Sequence, residues 1–291
     1  MVAPRLIATC WTSAGDALPG AADERSPFEP LERVRAIAET GWSGYGFAHH
    51  DLAYVRDTIG FQELKSASDE LGLGHIEIEL ASDWWLEDRS TWEATWQLLL
   101  EAATQLDAAH IKVGTAFGSP VENLDFLVAP MRDLAEQAEQ AGTRVALEPL
   151  PFSMIGSMPQ GAQLIERVNH PAAGLIVDYW HVFRAGTTLE QLSAAVPLEA
   201  IFGVELSDAA AEPVGTLFED TRDRRTLIGE GDQDVVGFIT MLTALGYTGP
   251  WGVEILSSEH RARPLGEALQ LAHETALATF HDAGAVSSAL A

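Results

Sequence analysis

GLIVDYWH, residues 174–181, is the stretch whose reading decides the fold. Leu175, Ile176 and Val177 run without a polar interruption into Asp178. Such a run, lacking apolar/polar alternation, suits a strand buried on both faces, and parallel sheets covered by helices impose that burial. Seven further segments share the design: RLIATCWT (5–12), GYGFAH (44–49), HIEIEL (75–80), HIKVGT (110–115), RVALEP (144–149), FGVELSD (202–208) and WGVEIL (251–256). Helical spacing fills the gaps between them. EPLERVRAIAET (29–40) has Pro30 just inside its start and Gly41 after its end, the proline-first, glycine-last asymmetry of helices. TWEATWQLLLEAATQLDA (91–108), ENLDFLVAPMRDLAEQAEQAG (122–142), PQGAQLIERVN (159–169), LEQLSAAV (189–196), DVVGFITMLTALGY (234–247) and GEALQLAHETALATFHDAG (266–284) follow. Strand then helix, repeated along the chain, predicts an α/β fold, a (β/α)8 barrel closed as one domain over 1–291. An open doubly wound sheet would carry a glycine-rich phosphate turn after an early strand, and the sequence has none.

Two connections exceed what a barrel needs, ASDWWLEDRS (81–90) and DAAAEPVGTLFEDTRDRR (208–225), and loops of that length on a barrel's C-terminal face are usually functional. The tail GAVSSALA (284–291) reads as a frayed end.

With 291 residues, 47% of them hydrophobic, the chain can bury a large core. Its 43 acidic against 17 basic residues give a net charge of −26. That surface repels phosphate backbones and anionic bilayers, so neither nucleic acid nor a membrane is expected as a partner. No segment approaches the ~20 apolar residues of a bilayer span. The start, MVAPRLIATCWTS, lacks the basic and long apolar regions of a secretory leader, and the single cysteine, Cys10, forms no intrachain disulfide. A cytoplasmic location is the expectation. Cys10 itself reads as a small buried hydrophobe.

Barrel enzymes carry their chemistry where strands end and βα loops begin. Glu148 closes VALE, Asp178 closes LIVD, Glu205 lies in GVEL and Glu254 in GVEI. A carboxylate set in an apolar strand is costly unless paired, protonated or bound to a metal. Four of them on the last four strands converge on one region of a closed barrel, and oxygen donors of this kind suit a divalent ion, Mn²⁺ or Mg²⁺ first and Co²⁺ or Zn²⁺ next. Scattered salt bridges between strands are the structural alternative.

Three blocks, ALEPLP (146–151), HPAAGLIVDYWHVFRAG (170–186) and LIGEGDQDVVGFITMLTALGYTGPWGVEIL (227–256), resemble the signature segments of the xylose-isomerase-like TIM-barrel superfamily, which includes ketose 3-epimerases, hydroxypyruvate isomerase and inosose dehydratase. The resemblance is specific in the C-terminal half and one of layout in the N-terminal half. It implies a metal held by Glu148, Asp178, position 205 and Glu254, with Glu148 and Glu254 as catalytic acid and base. It places a substrate contact on His181, from the Asp178–His181 pair, and another on Arg225. It also implies a carbohydrate or polyol substrate and a homodimer or homotetramer. Glu205 departs from the histidine of the ketose epimerases. Four carboxylates against one 2+ ion leave about −2, so Lys112, Arg225, a protonated His181 or a second metal must balance the charge.

The weaker candidates are positional. Trp11, ending the first strand segment, and His49 and His50, after the second, fall on the active face, where an aromatic can wall a sugar pocket. Lys112 is mid-strand with apolar neighbours and needs a carboxylate partner. Glu77 and Glu79 share one face of their strand, with Glu79 nearer the pocket. His110 begins its strand and so belongs at the opposite end. Trp84 and Trp85 read as exposed loop aromatics able to cap a ligand or seal a subunit contact.

A Lewis-acid cation beside a carbonyl stabilises the enediolate left by deprotonation of the neighbouring carbon. Return of the proton gives epimerisation or isomerisation, while loss of a β-substituent gives dehydration or cleavage of a 3-keto-glycoside. A sugar isomerase or epimerase is the leading expectation and a lyase on an inosose- or 3-dehydroshikimate-like ketone the second. Phosphodiester hydrolysis, as in endonuclease IV, fits poorly with a carboxylate-rich site and a net negative chain. A sugar-binding barrel without catalysis is the fourth reading.

Overall fold

A computed structural model describes residues 4–289, with side chains through 284. Eight parallel strands close in sequence order into one barrel. They are β1 (Leu6–Ala8), β2 (Gly44–Ala48), β3 (His75–Ala81), β4 (His110–Val113), β5 (Val145–Leu147), β6 (Ala173–Asp178), β7 (Ile201–Leu206) and β8 (Trp251–Val253). The helices are α1 (Cys10–Ser13), α2 (Pro30–Glu39), α3 (His49–Asp57), α4 (Phe61–Glu70), α5 (Glu93–Leu106), α6 (Asp125–Gln140), α7 (Met158–Val168), α8 (Tyr179–Arg184), α9 (Leu189–Ala195), α10 (Leu217–Asp223), α11 (Val235–Leu245), α12 (Ser258–Arg261) and α13 (Leu265–Ala289). None is long and apolar enough to cross a membrane. Each of the eight segments read as a strand overlaps one: β1, β2, β4, β5 and β8 lie inside their segments, β3 runs one residue further, to Ala81, and β6 and β7 begin one residue earlier. The reading of the tail as frayed falls mostly on residues whose side chains lie outside the described part.

Most of the apolar core lies between the barrel's outer wall and the helices, where Phe47, Ile78, Val113, Leu147 and Val177 meet Leu64, Trp96, Leu134 and Leu164, all fully or almost fully buried. Burying a Leu- or Phe-sized side chain contributes ~1.5–3 kcal/mol, so this annulus is the main source of stability. Inside the barrel a smaller group, Ala146, Ile176 and Phe202, fills one level. Glu79, Lys112, Glu148, Asp178, Glu205 and Glu254 cluster towards the C-terminal ends of the strands, and Glu77 lies lower, beside His75 and His110.

Three expectations need correction. The sixth strand ends at Asp178, because Asp178 caps a helix: its Oδ1 accepts the backbone N–H of Trp180 at 2.7 Å, and α8 begins at Tyr179. His181 therefore sits on a helical turn. Trp11 and His49 likewise stand on α1 and at the first position of α3, outside the strands. Trp84 is only 1% exposed, its indole N–H donating to the Gly114 carbonyl at 2.7 Å, so it props the β3 and β4 loops and does not cap a ligand. The helices α3 and α4 between β2 and β3 were absent from the sequence reading. In α4 only Phe61, Leu64 and Ser68 face the core, and a stripe with one hydroxyl among three residues gives a weak helical signal.

Candidate active site at the C-terminal mouth of the barrel

The parallel ladder sets the carboxylates side by side. Asp178 on β6 pairs in register with Glu205 on β7, and Glu205 with Gly252 on β8. Glu148 and Glu254 are the first residues past β5 and β8. Their backbone N–H groups still donate to the neighbouring strands, to Val113 O at 3.0 Å and Leu206 O at 2.9 Å, which fixes where the side chains leave the barrel. Gly252 makes the room this needs: a Cβ there would lie 2.7 Å from the Val204 carbonyl oxygen and 3.2 Å from Glu205 Cγ. One oxygen each from Glu148, Asp178, Glu205 and Glu254 lie within 4.8 Å of one another, and all four residues are buried.

Two cations hold this group together. The Lys112 ammonium, 4% exposed, lies 2.7 Å from Glu205 Oε1, 2.8 Å from Glu79 Oε2, 3.4 Å from Glu254 Oε1 and 3.7 Å from Glu148 Oε1. The Arg225 guanidinium is buried between Asp178 Oδ2 at 2.7 Å and Glu254 Oε2 at 3.1 Å, and its far edge donates to Thr221 Oγ1. His181, one helical turn beyond Asp178, brings Nε2 to 3.6 Å from both Asp178 Oδ2 and Glu148 Oε1.

Burial, joined by repulsion from Glu254 and Asp178 and opposed by Lys112, pushes the Glu148 carboxyl up to about 8. Burial also raises Glu205 and Glu79, with Glu254 adding to both. Burial works against the Lys112 ammonium, but the surrounding carboxylates overcome it and hold the lysine charged well above its ordinary value. Burial, reinforced by Arg225, keeps the His181 ring neutral. Like charges crowded into a cleft with perturbed proton affinities mark a candidate functional site.

Glu148, Glu254, Lys112, Arg225 and His181 form the floor of a cavity of about 390 Å³. Of the residues singled out in the sequence, Trp11, His49, Lys112, Glu148, His181, Arg225 and Glu254 line it, and Asp178 and Glu205 do not. Glu79 joins them, while Glu77 turns away to His75 at 2.9 Å and His110 at 3.9 Å. The sequence reading missed Phe117, Phe152 and Phe218, which form one wall, and Glu24 of the 14–29 loop. Phe218 had a readable signal. Thr216 and Glu219 make a capping box that starts α10 inside the long loop after β7, and T-x-x-E is legible in a sequence. The Gly229–Asp232 turn is tied to the end of β7 by Asp208, which accepts the backbone N–H groups of Gly229 and Gln233 at 3.0 Å each.

Residues 34–275 match the xylose isomerase-like TIM barrel family, and the chain belongs to it. Among characterised relatives, the 3-dehydroshikimate dehydratase of Pseudomonas putida is 27% identical over 242 residues, 80% of this chain and 37% of that protein. The inosose isomerase of Bacillus subtilis is 27% identical over 147 residues, 50% of this chain and 51% of that protein. The chain thus spans roughly a third to a half of these relatives' lengths. In fold it is similar to the zinc-bound crystal structure of the IolI protein, with a TM-score of 0.75 over 94% of this chain and 97% of that one at 19% identity.

Proposed function

We propose that the chain is a divalent-metal-dependent isomerase or epimerase of a small keto-sugar or polyol ketone, acting by proton transfer at the carbon next to the carbonyl. One observation carries this reading: four buried carboxylates at the ends of four consecutive strands, with ligand oxygens within 4.8 Å of one another. The donor set fits a metal. Glu148 Oε1 is buried without a hydrogen-bond partner, and an all-oxygen set suits Mn²⁺ or Mg²⁺. Zinc, which the IolI protein holds, is the next candidate.

Glu148, Asp178, Glu205 and Glu254 would hold the ion. Bound there, it would supply a Lewis acid for developing negative charge on the substrate oxygens. Glu148 and Glu254 take and return the proton. His181, Arg225 and Lys112 donate to substrate oxygens, and Trp11 and His49 bound the ring. The barrel works as one domain over 1–291, in the cytoplasm, as a homodimer or homotetramer, without nucleic-acid or membrane partners.

A lyase on the same site is the second reading, favoured by the dehydratase's match to 80% of the chain against 50% for the inosose isomerase. Incubation with candidate ketoses and inososes in D₂O, with Mn²⁺ and then with chelator, separates the readings. Carbon-bound deuterium in recovered ketone supports the isomerase, and an ultraviolet-absorbing enone supports the lyase. Absence of both across a broad panel would defeat the proposal.

A further inference from the structure

The cavity's charge and its aromatic wall together select a kind of substrate. Both cations that line it have their charge balanced by carboxylates, even where an N–H is left for a substrate hydroxyl: Lys112 by Glu79 and Glu205 at 2.8 and 2.7 Å, Arg225 by Asp178 and Glu254 at 2.7 and 3.1 Å. With a divalent ion bound and every carboxyl ionised, Glu79, Glu148 and Glu254 on the lining and Asp178 and Glu205 behind it outnumber these two cations and the ion by one charge. Glu24, at the rim, adds another acid. A substrate carboxylate entering here would meet net negative charge in a place poorly screened by water, where like charges repel strongly.

Opposite the polar floor stand three phenylalanines from three different βα connections. Phe117 follows β4, Phe152 follows β5 and Phe218 lies on α10 after β7. Their ring centroids are 5.0 to 6.0 Å apart, and the Phe152 ring is 6.0 Å from that of His181. Phe117 is 60% exposed, yet its backbone is held: Gly118 N–H donates to Phe152 O at 2.8 Å, and Met154 N–H to Ala116 O at 2.9 Å. A large apolar ring fixed in that exposed position forgoes burial that a flat ligand can restore. A volume of about 390 Å³ also falls within the ~300–1,000 Å³ of pockets that enclose drug-sized ligands.

We propose that the substrate is an uncharged polyhydroxylated ring ketone carrying a flat apolar substituent, with its hydroxyls over the carboxylates and its substituent against Phe117, Phe152 and Phe218. Carboxylated ring ketones are excluded. This rests on the enolising site proposed above and adds to it the charge and shape of the ligand.

The test is isothermal calorimetry on Mn²⁺-loaded protein with four probes: phenyl 3-keto-glucoside, methyl 3-keto-glucoside, 2-keto-myo-inositol and 3-dehydroshikimate. Deuterium exchange is followed on the same samples. The phenyl probe is expected to bind about tenfold tighter than the methyl one. That gap should close in Phe117→Ser, with the phenyl probe losing more affinity than the methyl probe; Phe117 is exposed enough for the variant to fold. The inosose should bind and 3-dehydroshikimate should not. Equal affinity for the phenyl and methyl probes, or binding of 3-dehydroshikimate as tight as that of the inosose, would overturn the proposal even if deuterium exchange occurs. Phenyl-probe binding with the expected gap but without exchange would leave the ligand class standing and overturn the enolising reading. Failure of all four to bind would overturn both.

Discussion

Replacing Lys112 by methionine keeps an unbranched side chain one atom shorter and removes the ammonium at the centre of the carboxylate group. At the observed separations of 2.7 to 3.7 Å, each of its four contacts is worth about 4–6 kcal/mol at an effective dielectric of 20, before the cost of desolvating the charges is subtracted. That cost is several kcal/mol per ion, which leaves a net loss of about 3–5 kcal/mol for breaking a buried pair from one side. Taking about 2–4 °C per kcal/mol, the metal-free variant should melt at least about 6 °C below the wild type. A divalent ion competes with the ammonium for the same oxygens, so its binding should stabilise the variant more than the wild type. At a hundredfold excess over Kd, binding alone contributes about 2.7 kcal/mol. The assay is thermal melting by circular dichroism of both proteins in EDTA and in Mn²⁺. If the variant melts within 2 °C of the wild type in EDTA and gains no more from Mn²⁺, Lys112 does not balance this site, and the reasoning fails.

Three further outcomes are expected. Gly252→Ala sets a methyl 2.7 Å from the Val204 carbonyl, so it should cost about 1–3 kcal/mol in urea melts and weaken Mn²⁺ binding by displacing Glu205; unchanged stability would show that the strands yield freely. His110 is fully buried, and burial lowers its ring to about 4 from 6.5. The unfolded chain therefore takes up a proton between about pH 6.5 and 4 that the folded chain refuses, and stability falls as pH falls through that window. The loss should reach about 2 kcal/mol at pH 5 and shrink in His110→Gln; parallel urea-melt profiles for the two proteins would contradict this. Asp178→Asn keeps an acceptor for the Trp180 N–H but withdraws the anion facing Arg225 and the metal, so Mn²⁺ affinity in calorimetry should drop at least tenfold while the helical circular dichroism persists. Full affinity in that variant would remove Asp178 from the ligand set.

The barrel was legible because its strands are mostly apolar on both faces and most meet a polar residue at or just past their ends, a pattern that parallel pairing and helical cover favour together. The carboxylates were legible for the same reason, since Glu205 and Glu254 interrupt runs that would otherwise be wholly apolar. What sits on the βα loops was hidden. Phe117, Phe152 and Phe218 are far apart in sequence, in segments without periodicity, and only barrel closure brings their rings within 5.0–6.0 Å. Asp178 illustrates the limit at element ends. Its side chain can end a strand, cap a helix and face a cation, and the sequence alone did not show that the helix begins at the next residue. Lys112 was recognisable as a lysine needing an acid, but its choice among Glu79, Glu148, Glu205 and Glu254 depends on strand register and tilt.

Metal stoichiometry tests the central claim most directly. Protein stripped with chelator and titrated with Mn²⁺, beside the double variant Asp178→Asn/Glu254→Gln, should bind one ion per chain, and the variant none in the same concentration range. A wild-type chain that takes up no ion, or a double variant that binds as the wild type does, would contradict the assignment of these strand-end carboxylates as a metal centre.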